Sequence, residues 1–366
     1  MRRVTKRVAR IAAALVALSV ICFWPEAGAQ TAAGQSWQFA VSGDSRNCGD
    51  VVMPSIAADV SKHRPRFYWQ LGDFRAIYTF DEDILHQPEH LGHPMTILDY
   101  ENSAWEDFIT NQLLPFGHLP VFLGVGNHEF YPPKTRDELL EQFADWFNTP
   151  VIRAQRERDN PHDHRMHVYY HWRERNVDFI SLDNGTPDQF DLAQLRWVEG
   201  VLKRDEADPE VAAIVVGMHE ALPDSISEDH SMSQSPAGIE SGRRVYQDLL
   251  HAQTDGHKHI YVLASHSHYY MANIFNTSYL RSNGGVLPGW IIGTAGAVRY
   301  PLPPNAKDAA AAQTNVYGYL LANVQPDGLI DFQFRQLNES DEPAEIVSRY
   351  KQEFVHWCFA ENTQAK

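Results

Sequence analysis

Five short segments of this chain end an apolar run in side chains that bind cations or move protons: Gly43-Asp44, Gly72-Asp73, Gly126-Asn127-His128-Glu129, Gly217-Met218-His219 and Ser265-His266-Ser267-His268. Each is weak alone, because Gly-Asp turns are common and a lone histidine is more often a hydrogen-bonded structural residue. Their shared position carries the inference. Carboxylates mixed with imidazoles suit Fe, Mn, Zn or Ni, and a carboxylate placed between two ions bridges them. Two such ions about 3.5–4 Å apart clamp the attacking and leaving oxygens of a phosphoryl transfer and lower the pKa of a bound water. The chemistry indicated is hydrolysis of a phosphate ester.

Such groups must be brought together by strands, because ligands in open α/β sheets collect at the strands' carboxyl ends. The sequence supplies candidates at 38–41, 67–71, 121–125, 211–216 and 259–263, each running directly into one of the motifs. Helical spacing is expected over 51–62, 103–114, 135–147, 188–204 and 239–252, with Thr135 and Glu138 forming a capping box for the third. Alternation over 167–172 and 177–182 predicts a strand pair. Strand patterns at 290–292, 319–324 and 329–337, with few helices after 252, predict a second sheet on the first. The expected fold class is α/β (α+β), a two-sheet sandwich flanked by helices. Residues 74–102 read as a long loop, a length usually associated with function.

The first 29 residues differ in kind. Arg2, Arg3, Lys6, Arg7 and Arg10 precede an apolar run over 11–24 and then Ala27-Gly28-Ala29, the pattern of a secretory signal cut before Gln30. An uncleaved anchor is the alternative, but the run is short for a membrane span, and no other segment is apolar enough to cross a bilayer. The expected organisation is a signal at 1–29, one domain over 30–340 and a helical tail over 341–366. The expected location is secreted or periplasmic. Of 31 basic residues the signal removes five, and of 47 acidic residues one, leaving a balance of −20. That charge argues against duplex nucleic acid as a partner, since its phosphates are bound by cations; a small phosphate ester is the expected one, with no membrane span after cleavage. Cys48 and Cys358 remain, and the sequence leaves open whether they pair. His86, His90 and His93, and likewise His162, His164 and His167, read as solvated rims more readily than as further metal sites. The loop 220–237 reads as part of a pocket rim.

In the order and type of its motifs the chain resembles the calcineurin-like metallophosphoesterase family, over roughly 37–335. The resemblance implies Asp73 as a ligand bridging two ions, with Asn127, His219 and His266 completing one site and Asp44 and His268 serving the other. It implies His128 as proton donor or transition-state partner, oriented by Glu129, and hydrolysis by a hydroxide held on the ions, phosphomonoesters ahead of diesters. Phosphodiesters of nucleotides or lipid head groups, or binding without turnover, are the alternatives.

Arg46 departs from the family pattern, standing where a ligating histidine is usual, and a guanidinium cannot ligate a metal. The purple acid phosphatase branch also lacks that histidine and uses a tyrosine three residues after the bridging aspartate. Here that position is Ala76, and Tyr78 is the nearest candidate ligand. Either Tyr78 reaches in, or water completes the shell, or that ion binds weakly. Arg46 either clamps the substrate phosphate in bidentate fashion or turns outward to a surface carboxylate.

Overall fold

Short strands rich in β-branched and aromatic residues form two sheets in the structure, a computed structural model that describes residues 34–364. The expected signal segment 1–29 lies outside the described residues. The first sheet has the order β12 (Ile330–Leu337), β11 (Tyr317–Val324), β1 (Trp37–Ser42), β2 (Tyr68–Gln70), β3 (Val121–Leu123). The second runs β10 (Ala311–Gln313), β8 (Tyr270–Ala272), β9 (Gly289–Ile292), β7 (His259–Ala264), β6 (Ala213–Gly217), β5 (Val177–Ser181), β4 (Tyr170–Glu174).

The register places the motifs. β1, β2 and β3 are parallel, with Ser42 opposite Gln70 and Gln70 opposite Leu123, so the chain leaves all three at one edge. β5, β6 and β7 are likewise parallel, with Ser181 opposite Gly217 and Gly217 opposite Leu263. All five motifs therefore follow strand ends.

Period-two alternation divides the second sheet's residues between two cores. Ala213, Val215, Tyr261 and Leu263 face the first sheet, while Ile214, Val216, Ile260 and Val262 face outward. The inter-sheet layer is aromatic: Phe67 and Phe39 meet Phe179 with ring centroids 5.0 and 5.1 Å apart, and Trp69 meets Trp172 edge-on at 5.1 Å. Edge-to-face geometry suits the ring quadrupoles. At Gly217 a Cβ would collide with the Trp69 indole, so glycine permits this approach. The outward face is covered by helices Leu192–Ala207 and Pro236–Thr254, through residues such as Leu195, Val198, Val245 and Leu249. Helix Gly49–His63 buries Val51, Val52, Ile56 and Val60 beside the first sheet.

Several expectations need correction. The helix expected over 103–114 runs Ile97–Phe108, opened by a capping box between Thr96 and Asp99 and continued by a π-turn over Ile109–Leu113. The loop after Asp73 is thereby shortened, and it contains a further helical turn, Glu82–Leu85. The helix expected over 135–147 breaks at Phe143 into Arg136–Gln142 and Ala144–Phe147, with the Thr135–Glu138 capping box present. β8, β10 and helix Pro150–Asp159 were not foreseen.

Residues 74–83 are held by charge. The guanidinium of Arg75, fully buried, donates to Asp83 at 2.8 Å and also to Asp50 and Asp107. Tyr100 donates to Asp81 at 2.6 Å and accepts from the Ile77 amide at 3.1 Å. After β12, residues 344–350 and 352–360 are helical, and Cys358 is disulfide-bonded to Cys48 just before the first long helix. Within the described residues, 35–364 pack as one unit.

Candidate metal centre

Two sharp turns begin the site. Asp44 and Asp73 both have φ of 60°, and His266 has 63°. L-residues adopt this left-handed region at a cost, and such outliers gather where surrounding structure over-determines a functional geometry. The turns are stitched together: the Asp44 amide donates to the Gly72 carbonyl at 3.0 Å and the Ser45 amide to the Asp73 carbonyl at 3.0 Å.

Asp73 lies at the centre. One of its oxygens, Oδ1, accepts from the His128 amide at 3.1 Å and sits 3.3 Å from His219 Nε2; the other, Oδ2, is buried without a hydrogen-bond partner among the described residues. His219 Nε2 is also 3.1 Å from Asn127 Oδ1 and 3.0 Å from His266 Nδ1. His219 Nδ1 faces the Leu71 carbonyl at 3.0 Å, which anchors a ring proton there and turns Nε2 toward the other groups of the site. Acceptors thus converge from four side chains. A second group, Asp44, Asp73 and His268, shares Asp73 with the first. There His268 Nε2 is 3.2 Å from Asp44 Oδ1, another buried oxygen lacking a hydrogen-bond partner among the described residues. Asp44 Oδ2 is already taken by Ser265 Oγ and, at 2.7 Å, by the His266 amide.

The electrostatics match a cation. Burial opposes ionisation of Asp73, yet the His128 and His219 imidazoles and Arg46 outweigh it and hold the carboxyl well below the usual range. Burial likewise lowers His219, but Asp73 and Asp44 overcome it and lift the imidazole to about 10. His266 goes the other way, pushed well down by burial and His219. The space is kept by glycine: a Cβ on Gly126 would strike Asp73 Oδ1 and the His219 ring. Orphaned carboxylate oxygens, convergent ligand atoms and this cradle fit a transition-metal ion, which would displace the proton on His219 Nε2.

His128 stands beside the first group. Its Nδ1 donates to the Ala76 carbonyl at 2.7 Å, and its Nε2 lies 3.6 Å from Asp73 Oδ2. Glu129, expected to orient that ring, does something else. Its buried carboxylate accepts from the amides of Asp73, Phe74 and Gly126 at 2.8, 2.7 and 2.7 Å, tying two motif turns together. Burial and then Asp73 push this carboxyl up to about 7, against the three amides.

The outward reading of Arg46 is overturned. The side chain is buried, with Nε 3.7 Å from Asp73 Oδ2 and Nη2 3.5 Å from His268 Nε2. Tyr78 is 48% exposed and stacks on the His128 ring at 5.3 Å. Among the described residues the two outlying histidine triads join no such group; His86 instead stacks on Phe354 at 3.9 Å, and His167 on Tyr169 at 4.9 Å. Two aromatic residues at the rim were missed. Tyr300 stacks on His268 at 4.0 Å, and His230 stacks on Tyr300 at 4.9 Å while facing His266 at 5.4 Å. His230 lies in the loop expected to form a rim; Tyr300 follows no motif.

No protein-family model matches the chain, and no curated protein matches it by sequence. Solved structures do resemble it. A purple acid phosphatase from yellow lupin (Lupinus luteus) seeds superposes with a TM-score of 0.56 at 14% identity, covering 83% of this chain and 52% of that one. The chain thus spans about half the length of the lupin protein. GAP50, described as the anchor in the inner membrane complex of Plasmodium, gives 0.50 at 10% identity, over 90% of this chain and 97% of its own. PhoD gives 0.49 at 13% identity, over 83% and 72%. With its two mixed sheets and its strand-end residues in this order, the chain has the calcineurin-like metallophosphoesterase fold.

Proposed function

We propose that this chain is a metal-dependent phosphoesterase, exported by its first 29 residues to the periplasm or the medium. The observation that carries the reading is Asp73: one buried carboxylate common to two acceptor groups, with an oxygen left without a hydrogen-bond partner among the described residues. Asp73, Asn127, His219 and His266 would hold one ion, and Asp44 and His268 are the remaining candidates. Bound there, such an ion supplies Lewis acidity toward phosphoryl oxygens and lowers the pKa of water.

The chain's own groups do the rest. His128, its Nδ1 committed to Ala76, presents Nε2 to the site, and in its imidazolium form the ring can pass a proton from Nε2 to the leaving oxygen. Glu129 fixes the turns that carry Asp73 and Asn127. Arg46 brings permanent positive charge for a phosphoryl oxygen. Tyr78, Tyr300 and His230 form an aromatic rim suited to the organic part of an ester. Phosphomonoesters are placed ahead of diesters. No helix among the described residues is long and apolar enough to cross a membrane, and the Cys48–Cys358 disulfide suits an oxidising compartment.

Hydrolysis of p-nitrophenyl phosphate and bis-p-nitrophenyl phosphate by metal-loaded protein tests this. Chelation and Asp73→Asn are each expected to cost at least about a hundredfold. A second reading, binding without turnover, is favoured by Arg46 lying against the Asp44–Asp73–His268 group. Retained metal with no hydrolysis of either ester would select it.

A further inference from the structure

We propose that the Arg46 guanidinium takes the place of a second metal ion, so that the centre binds one divalent ion through Asp73, Asn127, His219 and His266 and keeps a fixed monocation beside Asp44 and His268. This rests on the metal-dependent reading above. The two acceptor groups are unequal. Among the described residues no cationic side chain lies within hydrogen-bond distance of His219 Nε2, whose close partners are Asp73 Oδ1, Asn127 Oδ1 and His266 Nδ1. The other group already holds a cation, because Arg46 Nη2 lies 3.5 Å from His268 Nε2 and its Nε 3.7 Å from Asp73 Oδ2.

Both contacts use the electron pairs that an ion would need. His268 Nδ1 faces the Val298 carbonyl at 2.6 Å, so Nε2 is the nitrogen left to the site, where it lies 3.2 Å from Asp44 Oδ1 and 3.5 Å from the guanidinium. Tyr300, stacked on that ring at 4.0 Å, packs against any rotation away. Arg46 Nε and Asp73 Oδ2 are both buried without a hydrogen-bond partner among the described residues and face each other as an ion pair at 3.7 Å, with His128 Nε2 3.6 Å from the same oxygen. Asp44 offers only Oδ1, since Ser265 and the His266 amide occupy Oδ2. A guanidinium cannot vacate its charge by losing a proton. A dication seated on Asp44, Asp73 and His268 would meet a like charge at contact distance in a buried site, where screening is weak.

The test counts ions. Wild type, Arg46→Gln and Arg46→His are dialysed to equilibrium against Mn²⁺, assayed for metal per chain, and examined by electron paramagnetic resonance, with circular dichroism as the check on folding. Wild type is expected to hold one ion with an isolated six-line signal. Each folded variant is expected to hold two, with a spin-coupled spectrum. Two coupled ions in wild type, or a folded variant that stays at one, would overturn the inference and leave the phosphoesterase reading standing. No bound ion in any of the three proteins would remove that reading itself. If neither variant folds, the wild-type count and spectrum decide alone.

Discussion

At the scale of single residues, the site is governed by where protons are anchored. Three histidines have Nδ1 against backbone carbonyls: His128 to Ala76, His219 to Leu71 and His268 to Val298. Such bonds set the tautomer and aim Nε2 inward, the usual arrangement behind a metal-ligating or proton-transferring imidazole. The roles should separate on mutation. Replacing His128 with glutamine is expected to lower kcat by about 10²–10³ while the metal content stays unchanged. Replacing His219 with glutamine should lower both together. A His128→Gln protein that also lost its metal would place His128 among the ligands.

Between residue and fold stand the turns that hold these side chains, and the Arg75 cluster matters most. Arg75 lies two residues after Asp73 and one before the carbonyl that anchors His128. Its guanidinium, inside a cage of Asp50, Asp83 and Asp107, locks that turn against helix Gly49–His63. Breaking a buried ion pair from one side leaves charge uncompensated and typically costs about 3–5 kcal/mol. Arg75→Met should lower stability by that order in urea titration, and the surviving folded protein should show a reduced kcat because Ala76 is no longer held. Unchanged stability would mean the aspartates shed their charge without help from Arg75.

Across the whole molecule, two constraints lie far from the centre. The Cys48–Cys358 disulfide closes a sequence separation of 310 residues. Its loss in Cys358→Ser is expected to cost roughly 2–4 kcal/mol, chiefly by releasing the unfolded chain, and the variant's melting temperature should no longer respond to reductant. The second constraint is a buried charge cluster under β4. His171 sits between Asp178 and Asp159, which overcome burial and hold its pKa up to about 10. Folded His171 therefore keeps its proton where the unfolded chain, near 6.5, has lost it. That stabilisation is complete below pH 6.5 and is lost as pH rises toward 10. Asp205, pushed up to about 9 by burial and Asp178, works in the same direction. Urea titrations should show stability falling over this interval, with a slope of at most about 1.4 kcal/mol per pH unit for each proton involved, and a shallower fall in His171→Gln. A wild-type profile that is flat from pH 6.5 to 10 would remove His171 as a charged member of the core.

What the sequence determined by itself was the set of strand ends and their chemical types. Apolar runs that stop at Gly-Asp, Gly-Asn-His or His-Ser-His report burial and then a turn, both local properties. The same holds for the Thr135 capping box and for the alternation over 167–172 and 177–182 that marked a strand pair. Tertiary structure alone decided which partners met. Glu129 serves three backbone amides from two turns, Arg46 points inward because Asp73 and His268 are there to receive it, and Tyr300 reaches the centre from a segment with no motif. Thr96 was missed because Asp99 made the box where glutamate or glutamine is usual, and β8 and β10 because three-residue edge strands carry too little pattern. Pairing across tens to hundreds of residues leaves no periodic trace in the chain, since it depends on the closing of two sheets around one aromatic layer.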